Sequence, residues 1–281
     1  MMILNLDQNF KPIDGDEIQH ETFTFSGGEP HIKIQQSNEY DKVIITHRLN
    51  SFNDLGILLV AVDAVKRLCI KNIELVIPYF PAARQDRVMV RGEALTVKVY
   101  ANIINELKLD KVTIFDPHSE VTPALLNDCS VINNHSFISK VTQQLPKDLI
   151  LVSPDAGALK KIHKLAGHLM DYEVLECGKS RDVKTGDLSG FKVPVKDLDN
   201  CNCLIVDDIC DGGGTFLGLA EELRKCNAGD LYLAVSHGIF SKGTKTLLEN
   251  FKTVFTTDSI KNADSDALNF ISIKEIINYE V

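Results

Sequence analysis

The segment from Cys203 to Phe216, CLIVDDICDGGGTF, constrains the fold more than any other part of the chain. An apolar run typical of a buried strand is followed by an acidic pair, a glycine-rich turn and the start of a helical pattern. Glycines permit positive φ angles and close backbone approach, and the first turn of a helix offers N–H groups that have no partner inside the helix. The segment therefore predicts an open α/β sheet with an anion site at the carboxyl end of a strand.

The acidic pair in this segment, Asp207 and Asp208, needs a partner other than an anion. Carboxylates accept hydrogen bonds from sugar hydroxyls and coordinate divalent cations. A ribose phosphate offers both hydroxyls and an anion, so it suits the whole segment. The plainer alternative is a strand that ends in two acids and a chain that turns at Gly212, Gly213 and Gly214. The position of the acids at a strand end favours the ligand site.

Composition narrows the classes of partner and compartment. The 281 residues are enough for one large or two medium domains, and the net charge of −9 argues against nucleic acids and anionic membranes as partners. No apolar run approaches the roughly 18 residues of a membrane helix, and residues 1–10 lack the features of a secretory signal. The seven cysteines show no disulfide or zinc spacing. We expect a soluble, cytoplasmic protein with reduced thiols.

Short β-branched runs alternate with amphipathic segments along the chain, which is typical of βαβ units and a mainly parallel sheet. A polar stretch at 135–147 separates two such series, so we predict two α/β domains, residues 1–140 and 141–281. The glycine-, lysine- and aspartate-containing stretch 176–192 is expected to form a mobile loop. Strands are predicted at 42–46, 73–77, 112–115, 149–152, 204–206 and 231–236, and helices at 55–68, 94–107, 156–169 and 216–225.

A second segment with chemical potential is PYFPAARQDR, residues 78–87. Its prolines stiffen the chain, and the guanidinium groups of Arg84 and Arg87 are suited to phosphate oxygens. A solvated turn with an ion pair between Asp86 and Arg87 would have the same composition. The residues alone leave both interpretations open.

A resemblance to a known family distinguishes the phosphate-binding interpretation of this segment from the solvated turn. PYFPAARQDR resembles the ATP-binding segment of ribose-phosphate diphosphokinases, also called phosphoribosyl pyrophosphate synthetases. The glycine loop resembles the phosphoribosyl-diphosphate loop of the phosphoribosyltransferase fold. Further segments follow in the family's order: FSGGE at 25–29 resembles the adenine loop, DPHS at 116–119 the magnesium and ATP segment, SPDAG at 153–157 the S-P-D-x-G turn, and KSR at 179–181 the catalytic flexible loop.

The resemblance implies two tandem phosphoribosyltransferase-type domains, each a mainly parallel sheet flanked by helices. It implies transfer of the diphosphoryl group of ATP to the 1-hydroxyl of ribose 5-phosphate, with Mg²⁺ as cofactor, in a homo-oligomer whose adenine site is shared between subunits. The implied catalytic residues are Lys179 and Arg181, and the implied metal contacts are His118 and Asp155. The implied ATP contacts are Phe25, Glu29, Arg84, Gln85, Asp86, Arg87 and His118. The implied ribose 5-phosphate contacts are Asp207, Asp208, Asp211, Gly212, Gly213, Gly214 and Thr215.

The physical logic of this reaction agrees with the residues. Diphosphoryl transfer needs mainly alignment and charge neutralisation, which cations on a mobile loop can supply as the site closes. Two departures from the family are Gly27, where Asp or Asn is usual in the adenine loop, and Gly212, where Thr is common in the phosphate loop. A phosphoribosyltransferase that consumes the same product and a non-catalytic subunit of the synthetase are the alternative functions.

Overall fold

The computed structural model describes residues 1–35, 41–170, 172–181, 188–262 and 267–277, without the side chains of 179–181, 188 and 189. Its contacts divide the chain into two compact units. The first contains residues 1–133 and the C-terminal residues from Ser272 onward, and the second contains Asn134–Ile271. Within the described residues, no helix combines the length and apolar character needed to cross a membrane.

The first unit is built around a five-stranded, fully parallel sheet with the order β1-β4-β5-β6-β7. Its strands and helices are β1 (Met2–Asn5), β2 (His20–Thr24), β3 (Pro30–Ile34), β4 (Lys42–Thr46), α1 (Phe52–Arg67), β5 (Asn72–Ile77), α2 (Thr96–Glu106), β6 (Lys111–Phe115), α3 (Val121–Leu125) and β7 (Cys129–Ile132). Because the strands are parallel, the segments that follow β5 and β6 leave the sheet at the same edge.

Helix α1 illustrates why these residues fold as they do. Ser51 is its N-cap, and its hydroxyl accepts a hydrogen bond from the Asp54 N–H. The buried positions Leu55, Leu58 and Val62 recur at helical spacing and pack into the core of the sheet with the apolar face of α2. The loops at the carboxyl edge of this sheet are thereby attached to well-packed strands and helices.

The second unit contains a six-stranded, fully parallel sheet with the order β15-β14-β13-β12-β8-β9. Its elements are α4 (His135–Thr142), β8 (Leu149–Ser153), α5 (Leu159–Leu169), β9 (Val174–Glu176), β10 (Gly178–Arg181), β11 (Leu188–Lys192), β12 (Asn202–Cys210), α6 (Gly214–Lys225), β13 (Leu231–Gly238), α7 (Lys245–Asn250), β14 (Thr253–Thr257) and β15 (Asn269–Ile271). The chain then returns to the first unit with α8 (Ile273–Ile276).

The order of this sheet reverses at β8. The chain passes from β8 outward to β9 and then back to β12 on the other side of β8. Such a switch point leaves a crevice outside the carboxyl ends of the two neighbouring strands, which is where open α/β sheets bind ligands. Asp155 follows β8, and the acidic pair lies on β12.

Three sequence-based expectations about elements differ from the structure. The polar stretch at 135–147 contains helix α4, so the predicted boundary at residue 140 falls inside a helix. Residues 178–181 and 188–192 are not a loop but an antiparallel pair of strands, β10 and β11. Strand β12 does not end before the acids but continues through them to Cys210, because the backbone pairing with β13 extends that far.

Candidate active site

The acidic pair of β12 occupies the switch point of the second sheet. Asp208 is buried and Asp207 is half-buried, and the Asp208 N–H donates to Asp207 Oδ1 over 2.9 Å. Burial raises the pKa of Asp207 well above its usual range, and the neighbouring carboxyls of Asp208 and Asp155 add to the effect. Ligand hydroxyls that donate to this pair would stabilise its ionised form.

Asp155 is held by the turn that follows β8. Its Oδ1 accepts hydrogen bonds from the N–H groups of Gly157 (2.9 Å) and Ala158 (3.3 Å), and the Ser153 hydroxyl donates to its carbonyl oxygen (3.0 Å). The turn thereby orients this carboxylate toward the neighbouring strand end, where it acts electrostatically on Asp207. The predicted metal residue Asp155 and the predicted ribose residues Asp207 and Asp208 thus belong to one electrostatic cluster.

The glycine loop forms the junction between β12 and α6. Gly213 is the N-cap of α6 and adopts φ +77°, a left-handed conformation that glycine takes without steric cost. The helix begins at Gly214, so the loop presents the first turn of a 12-residue helix. The N–H groups of the first helical turn and the positive end of the helix dipole make this junction suited to an anion.

The predicted catalytic residues Lys179 and Arg181 lie on strand β10, where Lys179 pairs with Phe191 and Arg181 with Leu188 of β11. Their side chains lie outside the described part of the structure. The hairpin is fastened to α6 by Phe191, whose ring lies against Gly218 and fills the space that a Cβ at this position would need. The same helix therefore carries the glycine loop at its start and supports this hairpin.

In the first unit, the structure brings the RQDR and DPHS segments together. They follow the neighbouring strands β5 and β6. Asp86 of RQDR is buried and contacts Ser119 of DPHS. The Arg87 guanidinium donates to both Asp86 oxygens (2.7 and 3.2 Å) and lowers the pKa of that carboxyl, with further contributions from the Ser119 hydroxyl and His118. Arg84 and Gln85 are exposed beside this cluster.

The FSGGE segment forms the tip of the β2–β3 hairpin. The Phe25 N–H donates to the Glu29 carbonyl over 2.9 Å, and Gly28 closes the turn with φ +96°. The Phe25 ring is 54% exposed and packs edge-on against Phe23 with centroids 5.0 Å apart. At Gly27, the Glu29 carboxylate occupies the space that a side chain would need, within 2.6 Å of an added Cβ. An acidic side chain at this position would meet a like charge.

Sequence reasoning did not assign a role to Ser119 or to Lys242. Ser119 stands in the DPHS motif, but its contact with Asp86 depends on β5 and β6 being neighbours. Lys242 carries no motif, and its side chain lies across Gly212 of the glycine loop. Neither contact has a signal in the local sequence.

A divalent cation fits the chemistry of these residues. No cluster of three or more His, Cys, Asp or Glu side chains suited to a metal occurs within the described ranges. Mg²⁺ does not need one, because it usually keeps several waters and takes one or two carboxylates together with substrate phosphates. Asp155, oriented by its turn and adjacent to the acidic pair, is a carboxylate of that kind.

Comparison with known proteins gives concordant results. The model of the N-terminal domain of ribose phosphate pyrophosphokinase matches residues 12–107, and that of the phosphoribosyl transferase domain matches 129–269. A protein of Enterococcus faecalis named ribose-phosphate pyrophosphokinase 1 is 31% identical over 271 residues, covering 90% of this chain and 80% of the relative. The ribose-phosphate pyrophosphokinase of Mycoplasma pneumoniae is 32% identical over 222 residues, covering 77% and 67%.

A crystal structure of the phosphoribosylpyrophosphate synthetase from Mycobacterium smegmatis superposes with a TM-score of 0.83 at 22% identity. The match covers 97% of this chain and 95% of that one. At this identity the likeness establishes the fold, which confirms the predicted architecture of two phosphoribosyltransferase-type domains.

Proposed function

The chain belongs to the ribose-phosphate pyrophosphokinase family, and from this premise we propose how its residues carry the family's reaction. The enzyme transfers the diphosphoryl group of ATP to the 1-hydroxyl of ribose 5-phosphate, giving 5-phosphoribosyl 1-diphosphate and AMP. The prediction made from the sequence motifs is confirmed at this level. The roles of individual residues are our proposal.

The observation that best supports this function is the meeting of RQDR and DPHS around Asp86. A phosphoribosyltransferase uses the glycine loop but has no triphosphate donor to bind. In this chain, the loops at the carboxyl edge of the first unit's sheet contain the cations Arg84 and Arg87, with His118 beside them. Arg87 is preoriented by Asp86 and keeps N–H donors beyond the two that this pair uses. We assign these residues, with Gln85, to the ATP phosphates and ribose, and Phe25 and Glu29 to adenine.

We assign ribose 5-phosphate to the second unit. The carboxylates of Asp207 and Asp208 accept hydrogen bonds from the 2- and 3-hydroxyls, and the 5-phosphate lies against the first turn of α6. Its contacts are the loop residues Asp211, Gly212, Gly213, Gly214 and Thr215. The raised pKa of Asp207 supports this role, because hydroxyl donors stabilise the ionised form that burial disfavours.

The reaction forms a bond between the 1-oxygen of the sugar and the β-phosphorus of ATP. It breaks the O–H bond of the 1-hydroxyl, whose proton is released, and the bond between that phosphorus and the oxygen bridging to the α-phosphate, so AMP leaves. Lys179 and Arg181 would stabilise the negative charge on the transferring group and exclude water. His118 in the first unit and Asp155 in the second are the residues that we propose as Mg²⁺ contacts, and the ion would neutralise phosphate charge when bound. Alignment of the two substrates supplies the rest of the rate enhancement.

We further propose a cytoplasmic homo-oligomer. The seven cysteines are free thiols, which suits a reducing compartment. The exposed rings of Phe23 and Phe25 support an adenine site completed by a neighbouring subunit. Light scattering coupled to size-exclusion chromatography measures the subunit number, and a monomer would contradict the shared site.

The test is formation of AMP from ATP and ribose 5-phosphate with Mg²⁺. We expect activity in the parent and a loss of at least about 100-fold in Lys179→Ala, because one preorganised cationic contact to a transition state contributes on this scale. Lys192→Ala is the matched control, because Lys192 pairs with Gly178 in the same hairpin and its substitution removes the same charge as Lys179→Ala. No AMP from the parent would refute the function, and equal losses in both variants would refute the role of Lys179.

A further inference from the structure

A second loop, formed by residues 239–243, is fastened to the start of the glycine loop. The N–H groups of Ile239 and Phe240 both donate to the Cys210 carbonyl, over 2.9 and 3.1 Å, and the Ser241 N–H donates to the Asp211 carbonyl over 3.2 Å. The turn closes with a hydrogen bond from the Gly243 N–H to the Phe240 carbonyl over 2.9 Å. The backbone of the intervening residue, Lys242, is thereby fixed next to the glycine loop.

The Lys242 side chain crosses Gly212. A Cβ added at Gly212 would lie 3.4 Å from both Cδ and Cε of Lys242 and 3.7 Å from its Cγ. The ammonium is one bond of about 1.5 Å beyond Cε, so it lies within about 5 Å of that position. The side chain is exposed, and none of the ion pairs found among the described residues includes Lys242.

The charge of the glycine segment makes this contact significant. Residues 203–216 contain the acids Asp207, Asp208 and Asp211 and not one Lys, Arg or His. Among these residues, a sugar phosphate with a charge near −2 would therefore meet backbone N–H groups, the Thr215 hydroxyl and the helix dipole, but no full positive charge, beside three carboxyls. A cation from elsewhere in the fold would offset the negative charge of these carboxyls.

We infer that Lys242 binds the 5-phosphate of ribose 5-phosphate and supplies the positive charge that the glycine loop lacks. This inference rests on the proposed function. Gly212 is part of this arrangement, because a Cβ added there would touch the lysine stem at van der Waals distance, and the outer atoms of a larger side chain would compete with the stem for the same space. The hydroxyl that Thr commonly supplies at this loop position is replaced here by an ammonium group from the neighbouring loop.

The experiment compares Lys242→Met, which keeps most of the apolar stem and removes the charge, with Lys242→Arg and the control Lys225→Met. Lys225 carries the same charge at the far end of α6, in exposed pairs with Glu221 and Glu222. We expect Lys242→Met to raise the KM for ribose 5-phosphate about fivefold, in line with a solvent-exposed charge-assisted contact. The KM for ATP and the Tm stay at parental values, Lys242→Arg restores the KM, and Lys225→Met changes neither KM.

A second test introduces Gly212→Thr into the parent protein and into the Lys242→Gly variant. In the parent, the added side chain displaces the lysine stem, so the KM for ribose 5-phosphate rises. In Lys242→Gly, the same substitution meets no lysine and supplies a hydroxyl, so it lowers the KM relative to Lys242→Gly alone. If Lys242→Met matches the parent, or raises both KM values together, this inference is overturned while the proposed function stands. A parent that forms no AMP overturns the proposed function first.

Discussion

The left-handed conformation of Gly213 makes a quantitative prediction about the glycine loop. Gly213→Ala places a Cβ on a residue with φ +77°, and that Cβ would lie 3.1 Å from Cδ2 of Leu247. Leu247 is 3% exposed and belongs to the core of the second unit, so it has little room to withdraw. Gly214→Ala is the matched control, because Gly214 is the first residue of α6 and an added Cβ has no atom within 4 Å.

Two contributions determine how far Gly213→Ala lowers the free energy of unfolding. A non-glycine residue in the left-handed region costs about 1–2 kcal/mol. The tight contact with Leu247 adds to this cost, so we expect the free energy of unfolding to fall by about 2 kcal/mol. For a unit of this size, that corresponds to a decrease in Tm of about 4–8 °C. Gly214→Ala should leave the stability unchanged or raise it by up to about 1 kcal/mol, because alanine is the better helix former.

Thermal unfolding followed by circular dichroism measures both variants. A third variant, Gly213→Asn, separates the two causes, because Asn tolerates the left-handed region better than Ala but still contacts Leu247. We expect its Tm to fall between those of the parent and Gly213→Ala. Equal Tm values for Gly213→Ala and Gly214→Ala would refute the argument from backbone conformation. In the AMP assay, Gly213→Ala should also raise the KM for ribose 5-phosphate, since the loop N–H groups change direction.

Three further substitutions test the proposed site. The raised pKa of Asp207 means that the folded chain binds its proton more tightly than the unfolded chain, so stability falls as pH rises from about 4 through the folded pKa. Asp207→Asn should therefore raise the Tm more at pH 8 than at pH 4 while abolishing most activity; equal gains at both pH values would contradict this. Arg87→Met should raise the KM for ATP about tenfold, because a charge-assisted hydrogen bond contributes about 1.5 kcal/mol. Arg67→Met, which breaks the exposed 2.7 Å pair with Asp63 on α1, should leave the KM for ATP unchanged. An equal rise in this KM in both variants would count against a role of Arg87 in ATP binding. Phe25→Ala should raise the KM for ATP about fivefold through lost ring contact without lowering the Tm, whereas Phe52→Ala, at a 64% exposed ring, should leave this KM unchanged. Parental kinetics in Phe25→Ala would contradict the adenine assignment.

The central strands could be predicted from sequence because each has a β-branched or aliphatic run with both faces buried. β4 and β13 are examples, with Lys42–Thr46 buried at four positions and Leu231–Gly238 buried at all eight. Strands β2 and β3 were missed for the opposite reason. They form a separate two-stranded hairpin, and β2 is exposed along most of its length, so no continuous apolar run marks it.

The hairpin of β10 and β11 was predicted as a loop because its stability comes from a tertiary contact. Its sequence is polar and glycine-rich, and its anchor is Phe191, whose ring lies on Gly218 of a helix 27 residues later. Local pattern contains no information about that helix. The same limit applies to Asp86 and Ser119, which are 33 positions apart and meet only because β5 and β6 are adjacent in the sheet.

The acids of the ribose segment and the cations that serve the substrates come from different parts of the sequence, and this separation has a physical reason. A cation that holds an ion pair in the free protein would have to leave that partner before it could bind phosphate. Lys242 instead stands on its own loop, outside the ion pairs of the described residues, with its stem on Gly212. Its charge is available to an incoming phosphate, while the raised pKa of Asp207 keeps the acidic pair from ionising fully before the sugar hydroxyls arrive. A reading confined to residues 203–216 finds the acids and the glycines of this site and misses its cation.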